Sequence, residues 1–207
     1  MGQSIMSLFR HFSAAVAVVV VLVIFLQQST HAQERSAFAA ESMLKVDGTS
    51  NQSDWSVAAD SLGGWMEFST DSDGVPFIQS VKLSVVVEEM SGGKGSIMDR
   101  LMLRTLKASE HGEITYELLE AETSRVESAA PDSFIIGTIG NLTIAGETHQ
   151  IEMIVGVSMS EQGSIIFSGS HEMKMSDFGL KPPTALFGAL HTKDDIVIFF
   201  EMVVKRD

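Results

Sequence analysis

The sequence predicts an all-β fold in which long antiparallel strands close into a barrel carrying one or two short helices. Three observations predict it. Beyond the first forty residues, apolar side chains recur with a period of two. Glycine and polar clusters at 71–76, 91–95, 129–132 and 161–163 separate the alternating runs. The longest runs reach about 13 residues, roughly 43 Å at about 3.3 Å each, against a usual strand of about 5–6 residues. A long sheet with one apolar face must curl around that face or expose it, and closure also removes its edges. At about eight strands, such an interior is either filled by side chains or holds one small apolar ligand.

The elements follow in chain order. Arg10 and His11 precede an uncharged apolar run, Ala14 to Leu26. Its 13 residues would span about 20 Å as a helix, short of the ~30 Å hydrocarbon core. Small residues at Thr30 and Ala32 complete a secretory signal over 1–32, with cleavage expected after Ala32. No second long apolar run follows, so no integral membrane span is expected after cleavage. Residues 33–42 form a polar, alanine-rich leader, and 43–207 the barrel domain.

Within that domain, Val81, Leu83, Val85 and Val87 share one strand face, and Ile114, Tyr116 and Leu118 share another. Ile151, Met153, Val155, Val157 and Met159 alternate with polar residues, as do Ile165, Phe167, His171, Met173 and Met175. The stretch Ile196 to Val204 is apolar on both faces except at Glu201. Two pieces depart from the period of two. Residues 96–108 have the spacing of a short amphipathic helix, and 181–191, with Pro182, Pro183 and Gly188, read as a loop containing a helical turn.

Composition excludes several function classes. The chain carries 27 acidic and 14 basic residues, a net charge of −13, which repels phosphate backbones and argues against a nucleic-acid partner. Cysteine is absent, and with it disulfides, thiolate metal sites and cysteine nucleophiles. An exported chain without disulfides fits a bacterial periplasm. The glycine-rich stretch Ser91 to Ser96 lacks the Gly-Lys-Ser/Thr order of a phosphate loop, and Asp71-Ser72-Asp73-Gly74 lacks the later carboxylates of a calcium loop. No Gly-x-Ser-x-Gly elbow occurs, and the histidines have no zinc spacing. His171, Met173 and Met175 share a strand face and could hold copper(I), but that face continues into Phe167 and Ile165 and reads better as an adaptable apolar wall.

Three segments carry a resemblance. Gly140 to His149 (GNLTIAGETH) is similar to the G-x-L-T-I-x-G-x-T strand-turn of the YceI-like family, whose members bind polyisoprenoids and other lipids. Ser176 to Pro183 (SDFGLKPP), followed by Asp195 to Ile198, resembles that family's closing DFGI and D-x-V-x-I segment. Met98 to Leu101, running on to Ile114-Thr115-Tyr116, occupies the place of its helix and following strand. The opening around Val46 to Trp55 departs from the family pattern, as do Met102 and Leu103, so the chain resembles a divergent member of that family. The resemblance spans roughly residues 44–204. It implies a lipocalin-like barrel, no catalysis, no cofactor, a periplasmic location and an interior that carries an isoprenoid or quinone-like lipid.

The ligand is expected against Val85, Val87, Ile114, Tyr116, Ile165, Phe167, Met173 and Phe178, with Phe187 as a lid. Two alternatives stand beside the lipid carrier: a filled barrel acting as an envelope stress or interaction protein, and a metal-handling protein using His171, Met173 and Met175. A homodimer through an exposed sheet edge is compatible with all three.

Overall fold

A computed structural model describes residues 35–205, apart from 60, 73–74, 94–95, 126–133 and 161–162. The signal segment, its cleavage position and the 129–132 turn lie outside the described residues. The chain runs through β1 (Arg35–Ala37), β2 (Met43–Ser50), β3 (Asp54–Ala59) and β4 (Leu62–Thr70). β5 (Pro76–Val86) leads through a 3-10 turn into the two-residue β6 (Met90–Ser91), and α1 (Ser96–Thr105) follows. Next come the long strands β7 (Glu113–Arg125), β8 (Phe134–Ile144), β9 (Glu147–Met159) and β10 (Ile165–Lys174). A 3-10 turn at Met175–Phe178 and the short β11 (Thr184–Ala185) precede β12 (Leu190–Val204). The fold is all-β with one α-helix, as expected, and among the described residues no helix is long and apolar enough to cross a membrane.

All pairings are antiparallel, in the order β1-β4-β5-β7-β8-β9-β10-β12-β2-β3-β6, with β11 against β12. β3 and β4 are consecutive in sequence yet do not pair, so the curled sheet has its seam between them. Each side of the seam is covered by a short strand. β1, in the stretch expected to be leader, lies on β4, and two residues later the Ala39 N–H donates to the Val203 carbonyl at 2.8 Å. β6 continues directly from β5 and pairs with Ala58 and Ala59 of β3. Short covering strands of this kind are a usual way to blunt a sheet edge.

Alternation explains the faces. β8 reads buried at Phe134, Ile136, Thr138, Gly140, Leu142 and Ile144, with the intervening residues turned outward. Two bulges re-aim the pattern elsewhere. One extra residue near Gln79 in β5 turns Ile78 inward and leaves Phe77 exposed. A second at Leu119 in β7 ends the inward run of Ile114, Tyr116 and Leu118 and exposes Leu119 itself. The turn Ile144-Ala145-Gly146-Glu147 has positive φ at both central residues, 50° and 87°, as a tight two-residue hairpin requires.

Two packed clusters occupy the ends of β8. Met66, Ile78, Val81, Ile136, Phe167 and Val204 fill one end, where Phe68 meets Phe167 edge to face at 5.8 Å. Leu142, Ile144, Met173, Met175, Phe178 and Ile196 pack the other, where His149 meets Phe178 at 4.8 Å. A third cluster of Val57, Ala59, Val85 and Met90 lies beside the seam.

Candidate lipid cavity

Between these clusters the barrel is not filled. A cavity of about 230 Å³ runs through the interior, many times the space that a single water molecule needs. Leu44 and Val46 of β2 contribute to its wall, as do Val81 and Val85 of β5, Met153 and Val155 of β9, and Ile198 and Phe200 of β12. The helix α1 covers it. Met98, Leu101, Met102 and Thr105 recur at helical spacing and all face the cavity, with Leu106 beyond them. Asp99 stands in the first turn of α1, where negative charge suits the helix dipole, and its Oδ1 accepts from the Gly92 N–H at 3.1 Å. That bond ties the helix to the loop leaving β6.

Methionine dominates the lining. Eight of the chain's twelve methionines face the cavity: 66, 90, 98, 102, 153, 173, 175 and 202. The two others among the described residues, Met43 and Met159, are exposed on the outside. Unbranched thioethers adapt to irregular apolar shapes, so this wall can follow a flexible chain.

The sequence-predicted site residues divide into two groups. Val85, Ile114, Tyr116, Phe167 and Met173 line the cavity. Val87, Ile165 and Phe178 are buried but do not reach it. Val87 opens the 3-10 turn after β5, its N–H held by the Gly112 carbonyl at 2.9 Å. Ile165 belongs to the filled end, and Phe178 packs beneath His149 in the other cluster. Phe187, expected as a lid, stands fully in solvent with φ of 57° and does not line the cavity. Pro183 and Thr192, on either side of it in sequence, line the cavity instead. Sequence reasoning missed Trp55 and the α1 methionines as lining residues, although Trp55, Val57 and Ala59 alternate visibly.

His171, Met173 and Met175 do face the cavity together. Residues two apart on a strand are separated by about 6.6 Å, so His171 and Met173 stand in a row along the wall. Among the described residues no group of three His, Cys, Asp or Glu side chains could hold a metal ion.

Polar groups in the cavity are few. Among the described residues neither lysine nor arginine lines it, and His171 and Asp99 are its ionisable side chains besides Tyr116. Two buried donors belong to it: the Trp55 indole Nε1, which has no hydrogen-bond partner among the described residues, and the Tyr116 hydroxyl, which has the Thr138 hydroxyl beside it. Both rings lie over glycines of the neighbouring strand. A Cβ on Gly48 would enter the Trp55 ring, and one on Gly140 would collide with the Tyr116 ring and hydroxyl. Burial pushes the Tyr116 phenol above its ordinary value of 10, with the Thr138 hydroxyl pulling the other way. The phenol therefore keeps its proton at physiological pH. A second orphan, Asp47 Oδ1, belongs to a carboxylate whose Oδ2 pairs with Lys45 Nζ at 2.8 Å on the other face of β2.

A family model for the YceI-like domain matches residues 27–204. The chain belongs to the YceI-like family. Solved structures similar to this YceI-like domain share its fold at low identity. Burkholderia cenocepacia BcnA is 16% identical over 80% of this chain and 98% of its own, with a TM-score of 0.60. A polyisoprenoid binding domain from Saccharophagus degradans, implicated in plant cell wall breakdown, is 12% identical over 84% and 98%, also with a TM-score of 0.60. The Campylobacter jejuni YceI protein is 18% identical over 73% and 85%, with a TM-score of 0.55. No curated protein sequence matches the chain.

Proposed function

We propose that this protein is an exported, non-catalytic carrier or reservoir that holds an isoprenoid-type or other amphiphilic lipid inside its barrel. The observation that carries the reading is the cavity itself: apolar, rich in methionine, roofed by an amphipathic helix and continuous with the packed core. Each methylene buried there contributes about 0.8 kcal/mol, so an isoprenoid chain gains affinity without any specific polar contact. Membership of the YceI-like family supports a lipid-binding role. The Saccharophagus domain is described as polyisoprenoid-binding, and the same ligand class suits the interior of this chain.

The cavity speaks against the filled-barrel alternative, because a barrel without cargo has no use for unfilled apolar space. The row of His171, Met173 and Met175 serves here as wall. The amino-terminal signal sends the protein to the periplasm, where an apolar lipid needs a carrier to cross water.

Native mass spectrometry of the protein from its own envelope, with organic extraction of its cargo, tests the reading. A stoichiometric isoprenoid or related lipid is expected. Protein that comes out empty and also fails to take up added polyprenol would overturn it.

A further inference from the structure

We propose that the hairpin formed by β11 and the start of β12 is the tip by which this protein docks on an anionic lipid bilayer, with Phe187 as the side chain that enters it. The proposal rests on the lipid-carrier reading and says where the carrier touches the membrane that supplies or receives its cargo.

The hairpin has its base on the cavity wall and its turn in solvent. Thr184 pairs with His191 and Ala185 with Leu190, and the Thr192 N–H donates to the Pro183 carbonyl at 3.1 Å. Pro183 and Thr192 line the cavity, whereas Phe187 is fully exposed. Four residues of extended chain reach about 13 Å at most. A lipid met at the turn is therefore one short step from the interior.

The hairpin is anchored rather than loose. Asn51, in the β2–β3 turn, donates from Nδ2 to the Ala189 carbonyl at 2.9 Å and accepts at Oδ1 from the His191 N–H at 3.0 Å. Its own N–H donates to the His191 carbonyl at 3.1 Å. On this anchored hairpin Phe187 has φ of 57°, a left-handed conformation that suits glycine and strains a bulky residue. Single exposed apolar side chains are ordinary on protein surfaces. A phenyl ring held wholly in water on strained backbone is not, and the fold gains nothing from it. What it fits lies outside the chain.

Charge selects the partner. From Lys181 to Lys193 the chain carries two lysines, His191 and no acidic residue, and Gly48 to Ser53 of the anchoring turn carry no charge. Asp194, next in sequence, is engaged by the Ser176 hydroxyl and N–H. This end thus departs from a chain with 27 acidic and 14 basic residues. Between Lys181 and His191, eight of nine residues are proline, alanine, leucine, phenylalanine or glycine. An apolar tip bracketed by cations matches a bilayer interface, where the ring reaches the acyl boundary and the lysines stay among anionic headgroups. One ring at the end of a short hairpin is small beside the roughly 800 Å² that each partner buries in a standard protein interface. A bilayer asks for no such complementary area.

The test measures transfer of fluorescent polyprenol from the loaded protein to vesicles of phosphatidylethanolamine and phosphatidylglycerol, beside its equilibrium affinity for the same polyprenol. Phe187→Gly removes the ring and suits the backbone. It is expected to keep the melting temperature and polyprenol affinity of the native chain while slowing transfer about tenfold. Lys181→Glu combined with Lys193→Glu is expected to slow transfer to these vesicles about tenfold as well, and far less to vesicles of phosphatidylcholine alone. Phe187→Trp is expected to keep the native rate, and vesicles should shift its emission to the blue beyond any change of Trp55 and Trp65.

Native transfer by Phe187→Gly, or Phe187→Trp emission that vesicles leave unmoved, would overturn the docking tip while measured polyprenol binding keeps the carrier reading standing. Loss of polyprenol affinity in Phe187→Gly equal to its loss of transfer would overturn it too, because the ring would then belong to the binding site. If the native protein takes up no polyprenol, the carrier reading fails, and the Phe187→Trp emission by itself decides the docking.

Discussion

Ile136 and Met102 show how differently two inward-facing residues can matter. Ile136 is fully buried in the filled end of the barrel, against Phe167 and Val204. Truncating it to alanine leaves a hole that close-packed neighbours cannot fill, and Ile136→Ala is expected to cost about 2–5 kcal/mol in denaturant melts. Met102 faces space that is already open. Met102→Ala is expected to cost less than about 1.5 kcal/mol of stability but to weaken binding of a long-chain lipid, which titration would show. Gly140 belongs with Ile136. Its missing Cβ is where the Tyr116 hydroxyl sits, so Gly140→Ala forces ring or backbone to move. A loss of about 1–3 kcal/mol is expected, together with a changed tyrosine environment in near-ultraviolet circular dichroism.

At the scale of elements, two polar clamps hold pieces that period-two patterning does not organise. The first ties α1 to the loop after β6 through Asp99 and the Gly92 N–H. A single hydrogen bond of this kind contributes about 1 kcal/mol. Asp99→Ala is therefore expected to loosen the roof and speed lipid release severalfold, measured by transfer of a fluorescent lipid to acceptor vesicles. The second pins the 3-10 turn Met175–Phe178 to the irregular start of β12. Asp194 accepts from the Ser176 hydroxyl at 2.5 Å and from its backbone N–H at 2.9 Å.

The Ser176 hydroxyl, then its N–H, hold the Asp194 carboxyl below its ordinary value of 3.8. A depressed carboxyl stabilises the fold above the unfolded value and loses that contribution as pH falls through the folded one. The difference in melting temperature between the native chain and Asp194→Asn is thus expected to be constant near neutrality and to close below pH 3.8. A gap that persists unchanged in acid would show that the carboxylate charge is not what holds the turn.

For the whole molecule, the proposed export is coupled to charge. The proposed cleavage after Ala32 would remove one basic residue and no acid, taking the net charge from −13 to 13 − 27 = −14. A surface this acidic is repelled by anionic lipid headgroups, which favours collision and release over permanent adsorption. Cell fractionation should recover the protein in the periplasm, with Gln33 as its first residue by amino-terminal sequencing. Recovery with the membrane and an intact amino terminus would make residues 1–32 an anchor.

Much of this architecture was legible in the sequence. The alternation of Val81, Leu83 and Val85, or of Ile151, Met153 and Val155, is a local property of a pleated strand, and it identified inward faces correctly. The Ala145-Gly146 turn and the amphipathic run that became α1 carry equally local chemistry. Location along the barrel axis is not local. Phe167 and Ile165 share one face of β10, yet only Phe167 reaches the cavity, because the register against β9 and β12 sets Ile165 at the closed end. Val87 and Phe178 have the right polarity and lie just past the points where their strands give way to 3-10 turns. Phe187, the expected lid, turned out to be an exposed residue in a left-handed conformation. By itself the sequence determined the fold class and the inward faces, since these follow from period and composition. Which inward residues meet open space, and which buried donors are left without partners, was decided by the tertiary structure, because both depend on how distant strands register when the sheet curls.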